Sequence, residues 1–193
     1  MMESMGRWEP DARGRLAEAA LDLFMERGFE ETTVAEIAQR AGLTERTFFR
    51  YFADKREVLF AGAAELEERL VRALDDAPTT LSAIDAIAAA LLAVSADFTP
   101  RREFARRRQA VIAANSELAE RERIKLASVA AAFARALRRR GVPESSANLA
   151  AEMGTTVFRI SFERWVKDRK HRDLAHAMKE SLEELKAVSS GAR

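Results

Sequence analysis

The side chains best suited to binding an anion lie close together, between residues 44 and 56. Four cations occur there against two carboxylates: Arg46, Arg50, Lys55 and Arg56. Three phenylalanines and one tyrosine are interleaved with them. Residues 1–56 as a whole carry nine Lys or Arg against eleven Asp or Glu, and the full chain has a formal net charge of +1. The positive charge is therefore local, which favours contact between one small surface and phosphate groups.

Two short helices joined by a tight turn are predicted to position these side chains. Thr33 and Glu36 form a capping-box pair, which predicts the start of the first helix. Gly42 favours a left-handed turn after that helix, and Thr44 then caps a second helix over residues 45–52. This is the helix-turn-helix pattern, whose second helix enters the major groove of DNA. An ordinary helical hairpin in an all-α core is the alternative, although the second helix is too short and too polar to supply core volume.

Four segments of the N-terminal region together form a recognisable sequence pattern: residues 24–29 (FMERGF), 32–38 (TTVAEIA), 41–44 (AGLT) and 47–55 (TFFRYFADK). With these segments, residues 13–62 resemble the N-terminal DNA-binding domain of TetR-family transcriptional repressors. Phe49 stands where the family usually has Tyr, and Tyr51 where it often has His. The resemblance implies a dimer that binds operator DNA and is released when a small molecule binds the C-terminal domain.

Eight residues of this region are the candidate DNA contacts. Arg46 is expected to contact a base, because its guanidinium can donate to guanine O6 and N7 together. Thr47 suits a phosphate or a thymine methyl group, Glu45 a cytosine amino group, and Phe49 a sugar or a thymine methyl group. The phosphate backbone is expected to be contacted by Thr33, Thr44, Tyr51 and Lys55.

The composition predicts an all-α protein. The 193 residues include only four Pro and eight Gly, and apolar periodicity predicts about nine helices. No cysteine is present, so disulfides and thiolate metal sites are excluded and a cytoplasmic location is expected. The N-terminal residues lack an apolar signal core, and no membrane-spanning segment is expected. Residues Met1 to Trp8 are expected to form a frayed tail.

Two domains are predicted. A helix-turn-helix DNA-binding domain with three helices would cover residues 10–56, beginning at Pro10 or Asp11. A helix over residues 54–74 would link it to a helical ligand-binding and dimerisation domain over residues 79–190. The acidic stretch closed by proline, residues 75–78, marks the expected joint.

The last two predicted helices carry apolar stripes that suit a dimer interface. A helix that is apolar on two sides must bury both, for example one against its own core and one against a partner. Helix-turn-helix proteins usually bind two half-sites as twofold dimers, and the resemblance implies a four-helix bundle between subunits. Packing within a monomer core is the alternative. The interface candidates are Leu149, Met153, Val157, Ile160, Leu174, Met178, Leu182 and Leu185.

A small-molecule pocket among the middle helices is implied by the resemblance. Aromatic residues at helical spacing fit a plain core equally well. The arginine-rich run over residues 101–108 could receive an acidic or acyl-type effector, such as an acyl-CoA, or could be a solvated face paired with Glu103, Glu117 or Glu120. The pocket candidates are Phe98, Phe104, Arg108, Ile112, Phe133, Thr156 and Phe158.

Two other functional classes remain as alternatives. A helical-bundle enzyme with a di-iron site would need a pair of Glu-x-x-His helices, whereas the two histidines, His171 and His176, lie five residues apart. The sequence has no phosphate-binding glycine loop, nucleophile elbow or zinc spacing, so no catalysis, cofactor or metal is expected. A helical adaptor would show no salt-dependent binding of DNA.

Overall fold

The computed structural model describes residues 12–168, 170 and 172–190, which form helices joined by short loops. These residues contain two 3-10 helices, Glu57–Phe60 and Ala96–Arg101, and they contain no strand. The α-helices described are α1 (Ala12–Arg27), α2 (Val34–Arg40), α3 (Glu45–Tyr51), α4 (Ala63–Asp75), α5 (Ala83–Ser95), α6 (Arg102–Ala113), α7 (Ser116–Arg139), α8 (Glu144–Lys167) and α9 (Leu174–Ser190). The predicted all-α fold is confirmed. The predicted helix start at Pro10 or Asp11 and the tail from Met1 to Trp8 lie outside the described residues.

The chain divides into two compact units, of which the first extends to Ala61. It contains α1, α2, α3 and the first 3-10 helix. Each of these four elements contributes at least one fully buried apolar side chain, among them Leu16, Ile37, Phe48 and Val58. Burial of side chains of this size contributes about 1.5–3 kcal/mol each, so α3 is held with one side buried and the other exposed.

The single helix predicted over residues 54–74 is two separate elements, which corrects the sequence prediction. The 3-10 helix ends at Phe60 and α4 begins at Ala63. Gly62 lies between them with φ of 88°, a left-handed conformation that favours glycine and through which a right-handed helix cannot continue. The consecutive residues 58–60 are also all buried, whereas a half-exposed α-helix would turn one of them towards solvent.

The second unit begins at Gly62 and contains α4 to α9 around one apolar core. The acidic stretch at residues 75–78, which we predicted to be a domain joint, therefore lies inside this unit. α8 packs against α5, α6, α7 and α9. The stretch 83–113 is long and apolar enough to cross a membrane by composition alone, but Ile87, Leu91 and Val94 are buried in this core, as in the central helix of a folded bundle.

α5 and α8 approach each other closely where Gly154 faces Ile87. A β-carbon on Gly154 would lie 2.5 Å from Cγ2 of Ile87, far inside van der Waals contact. Small buried side chains extend along the same two helices: Ala86, Ala90, Ala147 and Ala151. The distance between the two helices is therefore set by the absence of a side chain at residue 154.

Arg140 closes the C-terminal end of α4. Its Nη1 donates to the carbonyl oxygens of Leu74 (3.0 Å) and Ala77 (2.8 Å), and its Nη2 donates to that of Pro78 (2.8 Å). The last carbonyl groups of a helix have no helical N–H partner, so a guanidinium is well suited to them.

Candidate nucleic-acid interface

The start of α2 has the capping box that the sequence predicted. Thr33 Oγ1 accepts a hydrogen bond from the Glu36 N–H (3.2 Å), and Glu36 Oε2 accepts one from the Thr33 N–H (2.9 Å). The Thr33 N–H, the Thr33 hydroxyl and nearby Arg27 lower the pKa of the Glu36 carboxyl. The Thr33 hydroxyl also donates to Glu36 Oε2 (2.9 Å). Its single proton is thus used within the protein, and the predicted phosphate contact would require this bond to break.

The turn between α2 and α3 is closed by backbone hydrogen bonds. The Leu43 N–H donates to the Ala38 carbonyl (2.8 Å) and the Gly42 N–H to the Gln39 carbonyl (3.0 Å), which is the Schellman arrangement. Gly42 has φ of 67°, and a β-carbon there would lie 2.9 Å from Nη2 of Arg15. The turn therefore requires glycine and fixes the direction in which α3 leaves α2.

α1 is tied to the helix-turn-helix by several side-chain contacts, including the pair of Arg27 with Glu36 at 2.7 Å. Arg40 in α2 makes a bidentate pair with Glu26 in α1, at 3.0 and 2.8 Å, and this hydrogen bonding lowers the pKa of Glu26. Arg15 in α1 donates to the carbonyl oxygen of Ala41 in the turn. Because the Arg40–Glu26 pair is exposed, it orients the helices more than it stabilises them.

α3 buries Phe48 and turns Arg46 and Arg50 outward. Phe48 is completely buried, and at about 100° per residue both arginines lie roughly 160° away from it around the helix axis. Both arginines are exposed. Within the described part of the chain, Arg46 has no hydrogen-bond or ion-pair partner, so its guanidinium is available to an external acceptor.

The predicted contacts Glu45, Phe49 and Tyr51 are also exposed on α3. Phe49 is 55% exposed, and its ring packs edge-on against that of Phe48, with centroids 5.5 Å apart. A large aromatic side chain on the outer surface of a seven-residue helix adds little to the core. It is instead well placed to pack on an external apolar group.

Arg50 is a candidate contact that the sequence analysis did not select. Its guanidinium carbon lies 4.9 Å from the Tyr51 ring centroid, and its Nη2 donates to Tyr51 Oη (3.2 Å). Tyr51 Oη accepts this bond and so keeps its own proton for another acceptor. The signal that could have found Arg50 is its spacing of four residues from Arg46, which places both on the same side of a helix.

Thr44 and Thr47 are hydrogen-bonded to each other at the start of α3. Thr44 Oγ1 accepts from the Thr47 N–H (3.2 Å), and the two hydroxyl oxygens are 3.0 Å apart. One hydroxyl must donate to the other, so only one of the two protons is left for an external acceptor. The pair can thus supply one hydroxyl donor to a phosphate, not two.

Lys55 lies against the loop between α1 and α2. Its Nζ donates to the carbonyl oxygens of Phe29 (2.8 Å), Glu30 (3.1 Å) and Thr32 (3.2 Å), and lies 4.4 Å from the Phe29 ring centroid. An ammonium group has three N–H donors, and three carbonyls are present to take them. The phosphate contact predicted for Lys55 would require at least one of these bonds to be given up.

In the second unit, two of the predicted pocket residues belong to an aromatic cluster. Phe98 and Phe158 are half-buried, with ring centroids 6.1 Å apart. Phe162 lies 5.8 Å from Phe98 and 6.0 Å from Phe158, and Trp165 lies 6.4 Å from Phe98. The pocket prediction did not include Phe162 or Trp165, although their spacing of four and seven residues from Phe158 places them on the same side of α8.

The other predicted pocket residues have different surroundings. Ile112 and Phe133 are almost completely buried, and Phe104 is half-buried. Thr156 is exposed. The neighbouring Thr155 is buried instead, because one position along a helix rotates the side chain by about 100°.

The arginines of residues 101–108 are largely engaged within the protein. Arg102 donates to the carbonyl oxygens of Trp165 (2.7 Å) and Asp168 at the end of α8. Arg106 pairs with Glu103, with Nη2 and Oε1 2.6 Å apart. The predicted face paired with Glu103 is therefore present for Arg106, whereas Arg102 closes a helix end.

Arg108, the arginine assigned to the pocket, makes an ion pair with Glu122. Its Nη1 lies 3.0 Å from Glu122 Oε1, and Gln109 donates to Glu122 Oε2 (3.3 Å). Burial lowers the pKa of the Arg108 guanidinium, and the Glu122 carboxylate opposes that shift. An acidic effector would thus have to displace a carboxylate that already neutralises Arg108.

Half of the predicted interface residues are buried within the single chain: Val157, Leu174, Met178 and Leu182. The apolar stripe of α9 packs into the core of its own unit. The other four are exposed or half-buried: Leu149, Met153, Ile160 and Leu185. On the outer side of α8, Leu149, Met153, Thr156 and Ile160 follow one another at spacings of four, three and four residues, the pattern of a helix-packing seam.

α2 and α3 are capped by Thr33 and Thr44, are joined by a tight turn at Gly42, and expose Arg46 on α3. This arrangement defines a helix-turn-helix domain. The family described as bacterial regulatory proteins, tetR family, matches residues 16–61. The HTH-type transcriptional regulator TcmR of Streptomyces glaucescens is 38% identical over 82 residues, which cover 42% of this chain and 36% of TcmR. The N-terminal domain of this chain is therefore similar to the DNA-binding domain of TetR-family regulators, as the resemblance predicted. The chain spans about a third to a half of the length of the curated relatives that it matches first.

Solved structures similar to this chain extend over both units. The SmeT–triclosan complex is 21% identical with a TM-score of 0.62 and covers 90% of each chain; SmeT is the repressor of a Stenotrophomonas maltophilia multidrug efflux pump. Thermus thermophilus FadR, a TetR-family repressor in complex with lauroyl-CoA, is 26% identical with a TM-score of 0.51 and covers 90% of this chain and 92% of FadR. These similarities support the same all-α fold.

Proposed function

We propose that this protein is a cytoplasmic transcriptional regulator, not an enzyme, which represses by binding a palindromic operator as a dimer and is released by a small molecule. Arg46 supports this most directly. It projects from the side of α3 opposite buried Phe48 and has no partner among the described residues. A helical adaptor or enzyme would give no reason for an unpaired arginine and an exposed Phe49 to share the outer surface of α3.

The contacts divide into base recognition and backbone positioning. We assign base recognition to Arg46, a sugar or thymine methyl contact to Phe49, and a phosphate contact to Tyr51, whose hydroxyl proton is still available. One hydroxyl of the Thr44–Thr47 pair would donate to a second phosphate. Thr33 and Lys55 act in this proposal by holding α2 and the preceding loop in place.

Replacing Arg46 with alanine is expected to abolish discrimination at one guanine of each half-site. A bidentate arginine–guanine contact contributes about 1–3 kcal/mol of discrimination, or roughly 5- to 150-fold in affinity. Fluorescence anisotropy with duplexes from the DNA flanking the gene, with and without that guanine, measures the change across a salt series.

The control is Arg159→Ala, which removes an exposed positive charge from α8 of the second unit. It should leave discrimination intact. If neither the unmodified protein nor the control binds any duplex above background at low salt, the regulator proposal is wrong and the adaptor or enzyme alternatives return.

We propose that the dimer forms through the outer side of α8. Leu149 is 64% exposed, and Met153 and Ile160 continue the same stripe. A twofold arrangement would bring this stripe against its copy and leave α9 packed in its own subunit. Helix-turn-helix dimers bind half-sites about 34–36 Å apart, so the operator should have half-sites at that spacing.

We propose that the effector is mainly apolar and binds beside Phe98 and Phe158 in the second unit. Both rings are half-buried, whereas Arg108 is already neutralised by Glu122, so an apolar ligand is favoured over a simple acid. Such a ligand releases DNA only if it binds more tightly to the conformation that cannot bind the operator than to the conformation that binds it.

Acyl-CoAs of several chain lengths and triclosan are suitable effector probes. At least one probe should raise the melting temperature of the protein and lower its affinity for the operator. At a probe concentration a hundredfold above Kd, the free energy of unfolding should rise by a few kcal/mol. Phe98→Ala should reduce the response while keeping DNA binding. Unchanged melting and operator affinity with every probe would contradict an apolar effector of this kind.

A further inference from the structure

Arg46 and Arg50 lie next to each other on the outer surface of α3. Each lies roughly 160° from Phe48 around the helix, on opposite sides of the outermost line, so the two are only about 40° apart. Four residues at about 1.5 Å per residue separate them by about 6 Å along the helix axis. Since successive base pairs are about 3.4 Å apart, this distance corresponds to about two base pairs.

Arg50 is held in place by Tyr51. Its guanidinium stacks on the Tyr51 ring at 4.9 Å and gives one N–H to Tyr51 Oη at 3.2 Å. A guanidinium has five N–H donors, so four remain, which is enough for a bidentate contact with a base. Stacking also restricts the side chain before any ligand binds, which favours specific recognition over a loose charge contact.

We propose that Arg50 is a second base-recognising residue, which selects a guanine about two base pairs from the guanine selected by Arg46 in each half-site. This inference rests on the proposed function, because it requires α3 to lie in the major groove. Tyr51 acts as its positioning residue by orienting the guanidinium while directing its own hydroxyl proton towards a phosphate.

Selection of binding sites from a random duplex library tests the proposal with the full-length protein. The unmodified protein should select two guanines about two base pairs apart in each half-site. Arg46→Ala should lose the preference at one of them and Arg50→Ala at the other. Replacing the second guanine with adenine should weaken binding of the unmodified protein roughly 5- to 150-fold and that of Arg50→Ala less than twofold.

Two conservative variants separate base recognition from a charge effect. Arg50→Lys keeps the positive charge but loses the bidentate geometry, so it should keep the salt dependence and lose the preference. Tyr51→Phe should weaken the preference at the second guanine and leave the first unchanged. Because Arg50 is exposed, its variants should fold normally, which circular dichroism verifies.

A different pattern would overturn the proposal. If Arg50→Ala keeps both preferences and instead weakens all sequences equally with a salt slope reduced by about one, Arg50 contacts a phosphate. In that case the regulator function stands and only this inference is wrong. If the unmodified protein selects no sequence at all, both the inference and the proposed function are wrong.

Discussion

Lys55→Ala should destabilise the loop between α1 and α2 by about 2 kcal/mol while leaving the salt dependence of DNA binding unchanged. The estimate follows from hydrogen bonds between a charged donor and backbone carbonyls, which contribute about 1.5–3 kcal/mol. The three carbonyls of Phe29, Glu30 and Thr32 would lose their common donor. Hydrogen–deuterium exchange should show roughly 30-fold faster exchange in this loop and at the start of α2.

Arg56→Ala is the matched control for Lys55. It removes the adjacent positive charge, which bonds to Asp54 at 2.6 Å, and should leave exchange in the loop nearly unchanged. DNA affinity of Lys55→Ala should fall by a similar factor for all sequences, because α2 is less well positioned. Unaltered exchange together with a salt slope lower by about one would instead establish Lys55 as a phosphate contact.

The double substitution Leu149→Glu and Ile160→Glu should convert a dimer to a monomer. It places two carboxylates opposite their copies on the outer side of α8, where like charges repel and neither is paired. Loss of the second half-site contact should lower operator affinity by a factor on the order of 10² to 10⁴. Sedimentation equilibrium measures the mass, and anisotropy with full and half operators measures the affinity.

Asn148→Glu is the control for the dimer. It adds a carboxylate on the exposed side of α8 about 100° from Leu149 around the helix, and should leave the mass of the dimer unchanged. The double variant should keep its helix content, since Leu149 and Ile160 both lie on the outer side of α8. A double variant that remains dimeric would show that another surface joins the subunits.

The local features of the helix-turn-helix were predictable from the sequence. The capping box uses Thr33 and Glu36, three residues apart, and the turn uses Gly42, so the physical cause lies within one helical turn. The resemblance to the TetR family extended these signals to the whole N-terminal region. The buried position of Phe48 and the exposure of Arg46 agree with the expected polar face of α3.

The contacts between distant residues could not be predicted in the same way. The bonds of Lys55 join it to residues 23–26 positions away, and no local pattern identifies such partners. The break at Gly62 interrupts a pattern that is otherwise compatible with a continuous helix. Periodicity also shows that α9 has an apolar stripe without showing what covers it, and Leu174 and Met178 pack in their own core.

The contact between Gly154 and Ile87 makes the two positions interdependent. A methyl group at residue 154 can be accommodated only if residue 87 gives up a comparable volume, so substitutions that are harmful singly should be tolerated in combination. The same interlocking prevents α5 from sliding along α8, because Ile87 would have to pass over neighbouring side chains in a closely packed core. The two helices should therefore move as one rigid body, and any rearrangement of the second unit must occur at its other helix contacts.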